Sequence, residues 1–302
     1  MAMITQEMQK IMTFAKRRTC VMAVVPWGGG CWPALIQKGQ YANPAPGSAD
    51  SGSWAVKNGL LKFENIKRTP EGFTVDKSNE LSGIYTKLDF RKTTILLSRT
   101  FLVKAMCPWQ AGEVSDSNAS WGYDLISQGI GSYCKDGVLS DNSVTYSGLK
   151  KQCFNLSVWG YNQDSAAPRY TGMLVFESPD VEGAYASRCM KEMSRNDLFD
   201  RFNVFAMKIV APQYTLSTSR VECPMVYTYL NGELIGSGKG DAQAHMFWQW
   251  NTPNDSDMGL HPTVGVCVNN FTNTTAKHVV QWALGFNNAL SDEEIKELST
   301  AG

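Results

Sequence analysis

The dipeptide Asn231-Gly232 constrains this chain more than any other feature, because it stands between two apolar, β-prone runs in Met225-Val-Tyr-Thr-Tyr-Leu-Asn-Gly-Glu-Leu-Ile-Gly236. Asn and Gly most cheaply supply the positive φ angles of a two-residue type I′ turn, so the stretch predicts a tight β-hairpin. Further β runs follow the same pattern, separated by turns: Leu60–Phe63, Gly72–Val75, Ile95–Val103, Tyr123–Ser127, Cys153–Trp159, Met173–Phe176 and Phe202–Val210. Many short strands without alternating helices predict an all-β, antiparallel jelly-roll β-sandwich, not a parallel α/β fold. The polar stretch 184–200 interrupts the pattern and reads as an inserted loop or a helical turn.

A second anchor lies near the C-terminus. Ser291 followed by Glu294 forms a capping box, with Leu290 and Ile295 spaced as a hydrophobic staple and Asp292 and Glu293 at the positive end of the helix dipole. A short helix over about 292–298 is expected there, after a strand centred on Trp282 to Phe286. Tyr229-Leu-Asn231-Gly232-Glu-Leu-Ile-Gly236, then Val264-Gly265-Val266, then Ala289-Leu290-Ser291-Asp-Glu-Glu294-Ile295 together resemble the concanavalin A-like lectin/glucanase superfamily, in particular its laminin G-like jelly-roll domains. The resemblance covers residues 200–302 and extends toward Trp54. It implies a lectin-like sandwich. Val279-Val-Gln-Trp-Ala283 stands where the family has an acidic segment, so no family-type metal site is carried over.

The chain has 302 residues, with 28 Lys plus Arg against 28 Asp plus Glu. That balance gives no global field to recruit nucleic acid or an anionic membrane. No segment is long enough to span a bilayer. The eight cysteines show no CxxC or other close pair, so buried free thiols are expected instead of a metal cluster. A basic cluster, Lys16-Arg17-Arg18, precedes an apolar run, but Pro26-Trp27 cuts that run too short for an export signal.

Residues 1–18 read as an amphipathic helix with Ile4, Met8, Ile11 and Met12 on one stripe. A Gly/Trp/Pro-rich segment containing Trp27 and Trp32 follows, then a linker-like stretch over 41–53. The expected organisation is an N-terminal arm over 1–52, helical and extended, and a jelly-roll domain over 53–302. Such an arm needs apolar burial that it cannot supply itself, so the stripe, Trp27 and Trp32 are candidate assembly contacts.

Candidate sites are few. Gly236-Ser-Gly-Lys-Gly240 lacks the glycine spacing and the Ser/Thr of a phosphate loop and reads as a flexible turn. Glu177, Asp180 and Glu182 are the nearest approach to paired glycosidase carboxylates. Pro179 and the odd Glu177–Asp180 spacing argue against them, so no enzyme is expected. The three histidines have no zinc spacing. No cofactor is expected, apart from a calcium candidate in the loop of Asp255 and Asp257. Trp248 and Trp250 alternate on one strand face, with Asn251 and Asp255 as hydrogen-bonding neighbours, and form a candidate glycan platform; Trp121 and Tyr123 form a second.

The functional expectation is a non-enzymatic structural or attachment protein of a multi-copy assembly, a bacteriophage virion. It would display a glycan-binding, lectin-like domain, with itself or other virion proteins and a cell-surface glycan as partners. The alternative is a secreted or cell-surface carbohydrate-binding protein.

Overall fold

The computed structural model describes residues 6–27, 30–37, 40–42, 61–64, 66–69, 71–75, 82–86, 98–110, 120–128, 152–161, 167–177, 184–212, 224–240, 264–269 and 277–300. The chain opens with helix α1, Gln6–Ala15, and the first strands follow: β1 Cys20–Trp27, β2 Gly30–Gln37, β3 Gln40–Ala42, β4 Leu61–Glu64, β5 Ile66–Arg68, β6 Phe73–Val75 and β7 Ser82–Thr86. Next come β8 Arg99–Met106, β9 Ser120–Gln128, β10 Gln152–Tyr161, β11 Arg169–Glu177 and β12 Ala184–Glu192, then a single turn of helix, α2, Arg195–Leu198. The last elements are β13 Phe202–Val210, β14 Met225–Leu230, β15 Glu233–Lys239, β16 Gly265–Asn269, β17 Val279–Phe286 and helix α3, Asp292–Ser299.

These strands form an antiparallel β-sandwich. One sheet runs β15-β14-β13-β8-β17-β1-β2-β3, with β6 also pairing with β17 and β5 with β6. The other runs β12-β11-β10-β9-β16-β7-β4. The hairpin β14–β15 turns on Asn231 at φ 52° and Gly232 at φ 83°, both in the left-handed region that the type I′ turn requires. Ser291 caps α3 as a complete capping box: its Oγ accepts from the Glu294 amide, and Glu294 accepts from the Ser291 amide.

Strand alternation divides the apolar residues into two cores. In β8 and β13, Phe101, Val103, Ala105, Phe205, Met207 and Ile209 face the other sheet, where they meet Phe154, Leu156, Tyr170 and Leu174. The opposite parity, Leu102, Val204 and Ala206, forms a second core with Ile11, Met12, Phe14 and Ala15 of α1 and Ile295 and Leu298 of α3. Both helices therefore lie on the outer face of the larger sheet. Two irregularities keep this division consistent. Register shifts between Cys20 and Met22 in β1, and between Val280 and Trp282 in β17, reverse the side-chain phase. As a result Val280 and Ala283 point inward, while Trp282, Leu284 and Phe286 point to the helices.

Polar contacts pin the helices down. The Trp282 indole donates to Glu7 at 3.1 Å, and Lys104 pairs with the same carboxylate. Arg17 pairs with Glu294, and Asp292 accepts from Tyr229 Oη at 2.7 Å and from Lys208.

Three expectations are corrected here. Residues 6–27 are not an arm awaiting a partner: α1 packs on the chain's own sheet, and β1 pairs with β17. An apolar stripe demands burial, and its own sandwich supplies it. The stretch 184–200 does hold a helical turn, α2, one of its two expected readings, but the rest is strand β12 and not an inserted loop, since its polar side chains fit a strand with one wet face. Gly236–Lys239 is no flexible turn either; it is strand β15, lying against β12 of the other sheet. A Cβ on Gly238 would sit 1.9 Å from the Arg188 carbonyl oxygen, so only glycine allows the sheets to meet at this edge. There the Gly240 amide donates to Ser187 Oγ, and Cys189 Sγ lies 3.1 Å from Thr228 Oγ1. Cys20, Cys107, Cys189 and Cys267 are buried free thiols, as expected.

Candidate functional site: the outer face of the smaller sheet

The outer face of the smaller sheet has a different character. In β10 the parity opposite to Phe154, Leu156 and Val158 carries Asn155, Ser157 and Trp159. A register irregularity in β9 leaves Leu125 and Ile126 both in the core between the sheets. Asp124 and Ser127, three residues apart, consequently share the outer face, which a regular strand would forbid. Asp124 stands opposite Ser157 and Ser127 opposite Asn155. The Asn155 amide donates to Asp124 Oδ1 at 2.8 Å. On β11, Thr171 stands opposite Ser157, Met173 opposite Asn155 and Arg169 opposite Trp159.

Burial grades across this face. Asp124, Ser127, Asn155 and Ser157 are at most 2% exposed, whereas Met190 on β12 is 40% exposed. Asn155 Oδ1 and Ser127 Oγ have no hydrogen-bond partner among the described residues. Buried acceptors are ordinarily satisfied, by protein, water or ligand. At the open end Arg169 pairs with Glu192 at 3.2 Å.

Trp159 lies between these zones and is partly exposed. A Cβ on Gly122, its cross-strand neighbour, would lie 3.0 Å from Cδ2 and Cε3 and 3.3 Å from Cε2 of the indole. Cδ2 and Cε2 form the bond shared by the two rings, flanked by ring atoms on both sides, so it can be approached this closely only from above the plane. The indole therefore lies flat across Gly122, with its second face turned away from the sheet. Its Nε1 donates to Ser157 Oγ at 2.7 Å, which fixes the ring's rotation. Any side chain at position 122 would lift it. This arrangement is an aromatic plate bordered by hydroxyl, amide and carboxylate groups, the combination that small polar ligands meet in protein sites.

The expected site residues fare differently. Tyr123 is 1% exposed, stands in the core between the sheets and donates to the Pro108 carbonyl at 2.7 Å, so it offers no stacking surface. Trp121 belongs to β9, but its side chain lies outside the described residues, as do Trp248, Trp250, Asn251, Asp255, Asp257 and Ile4. Trp27 and Trp32 are placed by their backbone alone, in β1 and β2. Ile11 and Met12 are buried within the chain's own fold and Met8 is half-buried, so their burial needs no second molecule. The alternation Asn155-x-Ser157-x-Trp159 is the sequence signal for this face. The irregularity that adds Asp124 and Ser127 has no sequence signature.

Among the described residues no group of three or more His, Cys, Asp or Glu is placed to hold a metal ion. Also among them, no helix is long and apolar enough to cross a membrane. His278 is fully buried beside Tyr123, their rings 5.1 Å apart. Burial pushes its pKa down to about 4, with the Asp124 backbone carbonyl pulling weakly the other way.

No family model matches the chain, and no curated protein matches it. Among solved structures, it is similar to the botulinum neurotoxin type G receptor binding domain, with 13% identity and a TM-score of 0.46 over 93% of this chain and 51% of that one. It is similar also to the receptor binding domain of botulinum neurotoxin D (9%, TM-score 0.44, 93% and 52%) and to the binding domain of Paraclostridial Mosquitocidal Protein 1 (12%, TM-score 0.45, 94% and 52%). The chain spans about half the length of these structures. Identity and TM-score are too low for a shared function to follow.

Proposed function

We propose that this protein is a non-enzymatic attachment protein, a lectin-like sandwich of the laminin G-like kind that binds a glycan and serves in a multi-copy assembly, a bacteriophage virion. The observation that carries the reading is the outer face of the smaller sheet. It combines a flat indole with buried hydrogen-bonding groups, two of them without partners among the described residues. A polyhydroxylated ligand needs both: an apolar plate for its C–H face and polar groups for its hydroxyls. The assembly role rests on the Gly/Trp/Pro-rich composition of residues 28–53.

A second reading, a secreted or cell-surface carbohydrate-binding protein, is favoured by the docking of α1 on its own sheet, which removes one motive for assembly. One pair of measurements separates the readings: a glycan array with the full chain, and its mass in solution by light scattering. A defined oligomer that binds glycans supports the virion reading. A monomer that binds glycans supports the second, and an array without signal overturns both.

A further inference from the structure

We propose that Asn231 is a deamidation site held shut by β13 and α3, and that its conversion to aspartate loosens the β14–β15 hairpin in one direction only. In an unfolded chain an Asn-Gly pair is open to this reaction, because glycine has no side chain to shield its backbone nitrogen. The Gly232 nitrogen bonds to Asn231 Cγ and gives up its proton, and the side-chain nitrogen leaves with that proton as ammonia. A five-membered succinimide results. Water then opens the ring to aspartate or isoaspartate, so an amide is exchanged for a carboxylate without any change of oxidation state. Loss of ammonia makes the step irreversible.

The fold closes this path from two sides. Past the last β13–β14 pair, Phe205 with Leu230, the Asn231 amide donates to the Val204 carbonyl at 2.8 Å, and Asn231 Oδ1 accepts from the Val204 amide at 2.8 Å. The side chain thus takes the place of a backbone carbonyl in the ladder, and it stays on β13 while the main chain turns away to Gly232. Its Nδ2 donates to Asn203 Oδ1 at 2.8 Å. From the other side α3 presses on the turn: a Cβ on Gly232 would sit 2.9 Å from Lys296 Cα and 3.2 Å from Ser299 Cβ. A turn clamped in this way has no room to rearrange into the ring.

The same network penalises the product. Asn203 Nδ2 donates to the Asp197 carbonyl at 2.9 Å and the Leu198 carbonyl at 3.3 Å, so its oxygen, and not its NH2, faces position 231. A carboxylate there would set acceptor against acceptor beside a side chain that is 1% exposed. Asn203 cannot turn over to help without releasing α2.

The test incubates the full chain in mildly alkaline buffer, native and in urea, and follows the peptide containing Asn231 by mass spectrometry. Deamidation should be slower by roughly tenfold or more in the native chain, as for a group reached only through local opening. Ser291→Ala weakens the cap of α3 and should speed the native reaction about fivefold, the factor that a lost cap makes in an opening equilibrium. Glu7→Ala, which loosens α1 instead, should leave the rate unchanged. The deamidated chain, separated by its added negative charge, should melt below the parent and exchange the Val204 and Asn231 amide hydrogens severalfold faster; Asn231→Asp should do the same. Equal rates in buffer and urea would overturn the proposal. So would equal acceleration by Glu7→Ala and Ser291→Ala, since the reaction would then need global unfolding, not release by α3. A deamidated chain as stable and as slow to exchange as the parent would overturn the loosening of the hairpin.

Discussion

The two outer faces of this sandwich are built from the same strand alternation and come to opposite ends. On the larger sheet, Leu102, Val204, Ala206, Trp282, Leu284 and Phe286 point away from the other sheet and are covered by α1 and α3. On the smaller sheet the equivalent positions are Asp124, Ser127, Asn155, Ser157 and Thr171, and two of these residues carry buried polar atoms without a partner among the described residues. An apolar face must be closed by the chain or by a partner, and here the chain closes it. A polar face costs free energy to bury and gains little from being covered by apolar groups. The first face is thus an apolar interior, while the second is a polar one, buried at Asp124, Ser127, Asn155 and Ser157 and exposed toward Met190 of β12.

Deleting residues 1–18 should break the comparison most severely. It uncovers the outer core of the larger sheet, removing the burial of Ile11, Met12 and Phe14, and should cost about 5 kcal/mol or more at roughly 1.5–3 kcal/mol per large apolar side chain. Denaturant unfolding measures it; an unchanged midpoint with a change in oligomer size would mean that α1 belongs to an interface after all.

Acid acts on the core that both sheets share. His278 titrates at its ordinary value of 6.5 when unfolded and at about 4 when folded. Between those values the unfolded chain binds a proton that the folded chain refuses. Stability is therefore intact above pH 6.5, falls as pH drops toward 4, and levels off below it after a loss of about 3 kcal/mol. His278→Gln should flatten that limb of a pH-stability profile.

On the covered face, Glu7→Ala leaves Lys104 and the Trp282 indole without their shared acceptor. A loss of about 1–3 kcal/mol is expected, read as a shift in melting temperature. Ser291→Ala, at the cap of the second covering helix, should cost about 1 kcal/mol in the same assay. On the open face, Glu192→Gln removes an ion pair whose partners are 37% and 61% exposed, and stability should move by less than about 0.5 kcal/mol. If Glu192→Gln destabilised as much as Glu7→Ala, the two faces would not differ as described.

Local signals were the legible ones. Asn231-Gly232 and the Ser291–Glu294 box act within a few residues, so their geometry follows from their chemistry. Most β runs were readable for the same reason, through side-chain propensity. Strand β12 was not, because Ala184–Glu192 mixes small, polar and charged side chains without a β-branched residue and gains its order from pairing with β11 and packing against β15. The stripe of α1 was readable as a need for burial but not as a destination, since a partner's groove and the chain's own sheet satisfy the same pattern. The candidate site was the least legible. Tyr123 and Asp124 are adjacent and point to opposite faces, and one step of register decides which of them enters the core between the sheets. That register is set by the irregularity around Leu125 and Ile126, which local sequence does not announce.

The pairing of β1 with β17, and of Arg17 with Glu294, has a consequence for orientation. Gln6 and Thr300 both belong to the layer outside the larger sheet, on the far side of the sandwich from Trp159. A carrier joined at either place would hold the molecule from behind, like a handle, with the Trp159 face directed outward. Many copies mounted in this way would all present the same side to whatever approaches.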